Sequence, residues 1–505
     1  MKRAAVLVAA AVFLLPTGGT SAQDANPAAP NAPNVVIVMT DDQRYDDMAA
    51  LPRTRHFIGD AGVTFRKAYV SYPVCCPSRA TFLTGQYAHN HGVKCLYLSC
   101  GGGYTKLRQD EYLPVWMERA GYVTSHIGKF LNGYGKDRAP DKPKGWTEWE
   151  GLIDPYTYRM WGYRIFENDH SVTFGSVMRE ARSLYQTDVL TNKALDFIGD
   201  RARGDRPFFL SLAYLAPHHE SGKTQGLTGK LVRPAPRHRG AYAGAPLPPM
   251  PAYNEADVSD KPRFIGRHHR RITGSREAAI LKRFRERRES LLAVDEGVKK
   301  IIDKLRDTGE LDNTYVIFTS DHGYMQGEHR IPQGKMVVYD PSTQVPLLIR
   351  GPGLPHGRST NALVGNVDLA PTILEAAHAR SPFRLDGRSM LRYARNVHLP
   401  NRRPLLLETV GQGAHGRTNT REGGTRGTQP RVPAWAAVRT SRWLYVEYRD
   451  GSRELYNVRR DRWQMNSVID DPRRRQDART LRRILQDLKK CRGRRCDTNA
   501  SASVG

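Results

Sequence analysis

The chain has 505 residues, 39% of them hydrophobic and 26% charged. This balance excludes a disordered protein. The length exceeds what one hydrophobic core usually holds, so two domains, or one large domain with an appendage, are expected. The formal charge of +27 is either general surface basicity or a field that steers polyanions to the protein. Nucleic acid is set aside, because no recognition motif for it accompanies the charge.

In chain order, Lys2 and Arg3 precede the apolar stretch Ala4 to Leu15, and Thr20-Ser21-Ala22 offers a small-residue cleavage site. This predicts a signal peptide over 1–22. The apolar stretch is too short to span a bilayer, and no later run of about 18 apolar residues exists, so no stable membrane insertion is expected. The mature protein is then secreted, to the extracellular space or a periplasm, and its 6 cysteines meet oxidising surroundings. Cys95 with Cys100 and Cys491 with Cys496 are close enough for small loop disulfides, which would leave Cys75 and Cys76 over; spacing alone does not fix the connectivity. Residues 23–33 read as a flexible leader. Asn34 to Met39 is a continuous apolar run, the pattern of a strand buried on both faces. It runs into Asp41-Asp42, at the strand end where open α/β sheets place ligands. Hard carboxylate oxygens there suit Ca²⁺ or Mg²⁺, although an Asp pair alone is more often a cap or a solvated turn.

The run Cys75-Cys76-Pro77-Ser78-Arg79-Ala80-Thr81-Phe82-Leu83-Thr84-Gly85 follows. It resembles the signature of the type I sulfatases, in which the Cys of C-x-P-S-R becomes formylglycine; a plain buried or disulfide-bonded Cys pair is the alternative. A helix opening over Ser78 to Leu83 sets Cys75 near a helix N-terminus, which favours anions. His89 and His91 either line the same pocket or are structural. A helix over 113–123 ends at Gly121, where a strand begins. From there Gly121-Tyr122-Val123-Thr124-Ser125-His126-Ile127-Gly128-Lys129 resembles the second sulfatase signature. Lys129 matches the cation on a sulfate oxygen. Leu131 stands where many members have His, so that role is not carried over. Pro207 to Leu212 is a further buried strand, ending in Ala216-Pro217-His218-His219, and His218 aligns with the family's sulfate-binding His.

Residues 221–274 are Pro-, Arg- and Gly-rich with little periodicity. Tyr253 to Pro262 resembles the corresponding segment of the N-acetylglucosamine-6-sulfatase branch. Arg267-His268-His269-Arg270-Arg271 either grips an anionic sugar chain or is a solvated loop. From Ser275 to about Arg306 a helix is predicted, with Leu291, Leu292, Val294, Val298, Ile301, Ile302 and Leu305 as its core stripe. Thr314 to Thr319 is the next buried strand, ending in Asp321-His322, the second half of the expected metal site. His322 replaces an Asn common in the family, a softer donor than an amide oxygen. Lys335 matches the second active-site lysine. Asp368 opens a structural helix. Beyond Pro400, Ala436–Arg439, Trp443–Tyr448 and Leu455–Val458 alternate as short strands with a turn at Asp450-Gly451. Glu454 to Val458 with Asn466 resembles the closing motif of sulfatase C-terminal subdomains. A polar loop covers 418–430, and 473–496 reads as a basic amphipathic helix with a Cys491–Cys496 clip.

The resemblance implies an alkaline-phosphatase-like α/β fold: a large, mixed, mostly parallel sheet flanked by helices over 34–399, and a smaller C-terminal subdomain with an antiparallel sheet over 400–505. It implies a sulfuric ester hydrolase acting on sulfated sugars or aryl sulfates, matured by a formylglycine-generating enzyme. In that reading Cys75, as formylglycine, is the nucleophile. Asp41, Asp42, Cys75, Asp321 and His322 hold one divalent cation, Ca²⁺ or Mg²⁺. Arg79 and Lys335 orient the hydrated aldehyde, and Lys129, His218 and Lys335 bind the sulfate, with His218 as acid for the leaving group. Two alternatives stand beside it: a phosphate or phosphonate ester hydrolase of the same superfamily, and an inactive basic glycan-binding protein.

Overall fold

A computed structural model of the protein describes residues 32–220, 231–411 and 432–497. The expected signal peptide, nearly all of the leader and the 418–430 loop lie outside the described residues, as do the side chains of Arg267 and His268.

The run Asn34–Thr40 forms β1, buried along its whole length. It pairs in parallel with β7 (Phe208–Ala213) on one side and β8 (Thr314–Ser320) on the other. A strand with two partners and both faces covered has no polar side to show, hence the continuous apolar sequence. Successive side chains of β1 nevertheless part company, as the pleat requires. Val35, Ile37 and Met39 enter one core, and Val36 and Val38 enter another. The first core takes the helices Cys75–Thr84, Leu113–Arg119 and Leu369–Ala376. The second takes Gln186–Arg201 and the long helix Ser275–Asp307, whose Leu291, Val294, Val298, Ile301, Ile302 and Leu305 are buried at the predicted spacing, whereas Leu292, also expected on that stripe, is only half-buried.

Around these three strands the sheet is completed by β2 (Val63–Tyr69), β3 (Val123–Gly128), β4 (Glu148–Leu152), β5 (Tyr163–Glu167), β6 (His170–Phe174), β9 (Leu347–Arg350) and β10 (Arg358–Gly365). Among the described residues the order is β10-β2-β9-β8-β1-β7-β3-β4-β5-β6. Strand β9 runs antiparallel to β2 and β8, and β4-β5-β6 is an antiparallel meander; the remaining pairings are parallel. A second, four-stranded antiparallel sheet comprises β11 (Leu405–Thr409), β12 (Trp435–Arg439), β13 (Trp443–Tyr448) and β14 (Arg453–Asn457). The helix Arg475–Leu488 packs on it through Leu481, Leu485 and Leu488. Disulfides join Cys95 to Cys100 and Cys491 to Cys496, and Cys75 and Cys76 remain as thiols.

Strands β3, β7, β1 and β8 are neighbours and all parallel, so their carboxyl ends lie along one edge of the sheet. The segments that leave that edge carry Lys129, His218, Asp41-Asp42 and Asp321-His322. No helix among the described residues is long and apolar enough to cross a membrane.

Candidate active site

Adjacent residues of an extended strand point to opposite faces, so Asp41 and Asp42 could not share a cavity if β1 simply continued. The chain instead turns left-handed at Asp42 (φ 67°), a conformation that Asp tolerates better than most residues. Both carboxylates then face the same set of groups, and both are fully buried.

Cys75 is the first residue of the helix Cys75–Thr84, three residues earlier than the sequence predicts. Every residue of this helix is buried, so no polar face marks where it begins. The Cys75 thiol stands in for any oxygen nucleophile derived from it. It lies 3.1 Å from Lys335 Nζ, 3.3 Å from His322 Nε2 and 3.6 Å from Asp41 Oδ1. Lys335 Nζ also donates to Asp42 Oδ1 at 2.9 Å. Lys129 donates to Asp41 and stands 4.7 Å over the Tyr158 ring. Arg79, one turn after Cys75, donates through Nε to Asp321 Oδ2 (2.8 Å) and through Nη1 to the Lys129 carbonyl (2.6 Å).

His218 sits 3.5 Å from Asp42 Oδ2 through Nε2 and packs against Tyr158. Its Nδ1 is 2.6 Å from the His219 carbonyl, which assigns the proton to Nδ1 and leaves Nε2 as an acceptor. Asp321 accepts the Asp42 N–H at Oδ1 (3.2 Å). The structure thus brings together all nine residues singled out by sequence: Asp41, Asp42, Cys75, Arg79, Lys129, His218, Asp321, His322 and Lys335. It does not bring His89 or His91 there. His89 bonds to Glu408 and the Cys491 carbonyl, and His91 to Thr81 and the Val93 N–H.

Three carboxylates face three permanent cations in a buried volume. Burial works to raise Asp42, but Lys335, His218 and His322 outweigh it and hold the carboxyl far below its ordinary range. Burial would likewise raise Asp41, and Lys129, His218 and Arg79 overcome it. The Cys75 thiol is pushed well above its ordinary value, by burial first and then by the Asp41 charge, despite the opposing lysines. As a thiol it is therefore a poor nucleophile. Burial lowers His218 to about 3 against the pull of Asp42 and Asp41, and it lowers His322 as well.

Ligand atoms of Asp41, Asp42, Cys75 and His322 lie within 4.8 Å of one another, as do those of Asp42, His218 and His219. Asp42 Oδ2, His218 Nε2 and Arg79 Nη2 are buried without a hydrogen-bond partner. Such atoms are costly unless something further is bound, and carboxylate oxygens with an imidazole suit a divalent cation. The donor set therefore fits a metal. Lys335, bonded to Asp42, Cys75 and His322, already places positive charge among the same donors. Asp321 is held more by Arg79 than by this donor cluster.

Arg287 was not singled out by sequence. It is buried on the long helix and donates to the carbonyls of Asp42 and Pro217, tying together the two loops that carry Asp42 and His218. The signal was available: it lies four residues before Leu291, a charge on the core stripe. Asn366 is a second omission. It bonds to Ser78 and the Ser71 N–H and fixes the approach to the Cys75 helix.

The sheet order, with its covering helices and the small antiparallel sheet, defines an alkaline-phosphatase-like α/β fold. Two solved structures share it. One, titled as a complex with its substrate D-glucosamine-2-N,6-O-disulfate, matches with TM-score 0.74 and 21% identity over 91% of this chain and 98% of that one. The other, a phosphonate monoester hydrolase from Silicibacter pomeroyi, matches with TM-score 0.69 and 25% identity over 90% and 95%. The chain belongs to the sulfatase family, whose model matches residues 33–379, and it is a sulfate ester hydrolase. It is 34% identical over 467 residues to the N-acetylglucosamine-6-sulfatase of Capra hircus, covering 86% of this chain and 80% of that protein. It spans about half the length (48%) of an extracellular sulfatase homolog of Caenorhabditis elegans.

Proposed function

We propose that this sulfatase is secreted, carries formylglycine at position 75 and removes O-sulfate groups from sulfated sugars. One observation carries the reading: a buried cysteine at a helix start within 3.6 Å of a lysine, an imidazole and a carboxylate, and with its thiol suppressed. Such a residue is of little use as a thiol and well placed as the precursor of an oxygen nucleophile. The C. hircus relative and the disulfated glucosamine complex support a sugar substrate. The two disulfides fit an oxidising compartment. The catalytic unit is read as 34–399 and the C-terminal subdomain as 400–505.

In this reading the hydrated aldehyde presents two hydroxyls. One attacks sulfur and gives its proton to Nε2 of the neutral His218, the S–O bond to the sugar breaks, and His218 passes that proton to the departing alcohol. Lys129 and Lys335 offset the charge on the sulfuryl oxygens, and Arg79 holds Asp321 and the Lys129 backbone in place. Loss of the proton from the second hydroxyl then expels sulfate and restores the aldehyde, an exit that serine or cysteine lacks. Asp41, Asp42, Asp321 and His322 would hold Ca²⁺, or Mg²⁺, which supplies further positive charge at the nucleophile and the sulfate oxygens.

The test is the mass of the Cys75 peptide from protein made in its own host, together with turnover of matched aryl sulfate, phosphate and phosphonate esters. A deficit of about 18 Da, thiol replaced by aldehyde, with preference for the sulfate ester, is expected. An unmodified thiol in active protein overturns the mechanism. Preference for the phosphonate favours the second reading, which rests on the S. pomeroyi neighbour. Binding of sulfated sugar without turnover of any ester leaves a glycan-binding protein.

A further inference from the structure

Where the edge of the large sheet meets the small one, a cleft of about 470 Å³ opens between β2, the segment after Asp42 and the segment after β14. That size lies within the range of small-ligand sites. None of its lining residues is among the nine around Cys75. Its charges are unequal. Arg44 is satisfied by Asp46 and Glu328, and Arg439 by Asp340. Arg66, Lys67 and Arg462 also line the cleft, and among the described residues no carboxylate pairs with any of them. The lining cations Arg44, Arg66, Lys67, Arg439 and Arg462 face only the lining carboxylates Asp46 and Asp340, so the cleft holds more positive charge than it neutralises; burial first, and then Arg439 and Arg459 against the pull of Asp340, lower the Lys67 ammonium.

Two further features point to a ligand. Arg462 lies 4.3 Å over the ring of Trp463, which supports its guanidinium at the cleft wall. His329 lines the cleft, is fully buried, donates or accepts at Nδ1 with Glu255 (2.6 Å), and has no partner for Nε2.

We propose that this cleft is a second binding site, which takes a segment of a sulfated polysaccharide chain. Unpaired cations meet the sulfate groups, with Arg462 backed by the Trp463 ring. The inference takes its ligand class from the sulfated-sugar reading above.

The experiment is calorimetric titration of the full chain with a size-defined heparin-type oligosaccharide. The chain carries Cys75→Ala so that nothing is consumed. Arg66→Ser/Lys67→Ser/Arg462→Ser is expected to raise Kd about tenfold and to flatten the salt dependence. Neutralising Arg475, Arg479 and Arg483, exposed on the C-terminal helix, is expected to change Kd less than about twofold. Arg462→Glu alone, at an exposed position, gives the same direction of change if the triple variant fails to fold. Equal losses from both triple variants, or no loss from the first, overturn the site. Equal competition by a single-stranded oligonucleotide of matched charge overturns the ligand class. Ester hydrolysis by the unmutated chain is read separately, so failure of the sulfatase reading and failure of the cleft appear in different measurements.

Discussion

Replacing Arg287 by methionine removes a side chain that bridges backbone carbonyls of the Asp42 and His218 loops. The guanidinium is 1% exposed. It donates to the Asp42 carbonyl and, at 3.2 Å, to the Pro217 carbonyl. It lies 3.5 Å from Asp47 and 4.6 Å over the Tyr324 ring. Methionine keeps the apolar stem but leaves two buried carbonyls without donors and takes the nearer guanidinium away from Asp47. Each abandoned acceptor costs about 1–3 kcal/mol, so Arg287→Met should destabilise the fold by about 2–5 kcal/mol. In a chain of this size that lowers Tm by roughly 2–5 °C. Because both loops face Cys75, KM for an aryl sulfate should rise as well. Arg287→Lys restores a charge and one donor and should recover about half of the loss. Thermal melting followed by circular dichroism, with steady-state kinetics on the same samples, gives both numbers. Unchanged melting and unchanged KM for Arg287→Met would refute the bridging role.

Cys75→Ala should abolish aryl sulfate turnover by on the order of 10³-fold or more while leaving the melting temperature within a few degrees; comparable activity in the variant would rule out position 75 as the nucleophile. Asp321→Asn should lower both bound metal, measured by elemental analysis, and turnover, since it weakens the anchor of Arg79 as well as a donor; full metal content with full activity contradicts the assignment. His91 and His126 are held neutral by burial, each with its pKa lowered to about 3. In the unfolded chain they take up a proton near pH 6.5, so acid favours unfolding. Stability should fall below about pH 6.5, by about 1.4 kcal/mol per pH unit for each histidine. Denaturant midpoints at pH 5 and 7 should separate less in His126→Gln than in the parent, and equal separations would exclude this source.

The parts of the fold legible in sequence were those where geometry leaves a single pattern. Strands β1, β7 and β8 are buried on both faces, so each reads as an unbroken apolar run ending in its functional residues. The long helix announced itself through the spacing of Leu291 to Leu305. Other elements carry no such mark. Strand β2 contains Arg66 and Lys67 because part of it opens on the basic cleft. Strand β10 is an edge, buried mainly in its second half. The hairpin β5–β6 is largely exposed at its far strand, so hydrophobicity hardly distinguishes it from a loop. In the site, motif spacing pointed to nine residues that the fold brings together. It could not divide Asp321 between Arg79 and a metal, since that depends on where the helix Cys75–Thr84 turns its fifth residue. Nor did it point to Arg287, a charge hidden in a stripe otherwise read as core.

The burial of Cys75 also sets an order of events. The thiol has no exposed surface, and its wall is completed by Asp321 and His322, delivered by β8, the direct partner of β1. Until residue 320 has been synthesised, that wall does not exist. At 5–20 residues per second, the interval between residues 75 and 320 is roughly 12–50 s. Any other protein that alters Cys75 must act in that interval, or on a chain kept unfolded for transport. Once the sheet closes, the Cys75 side chain is beyond the reach of a modifying enzyme and open only to what is small enough to enter.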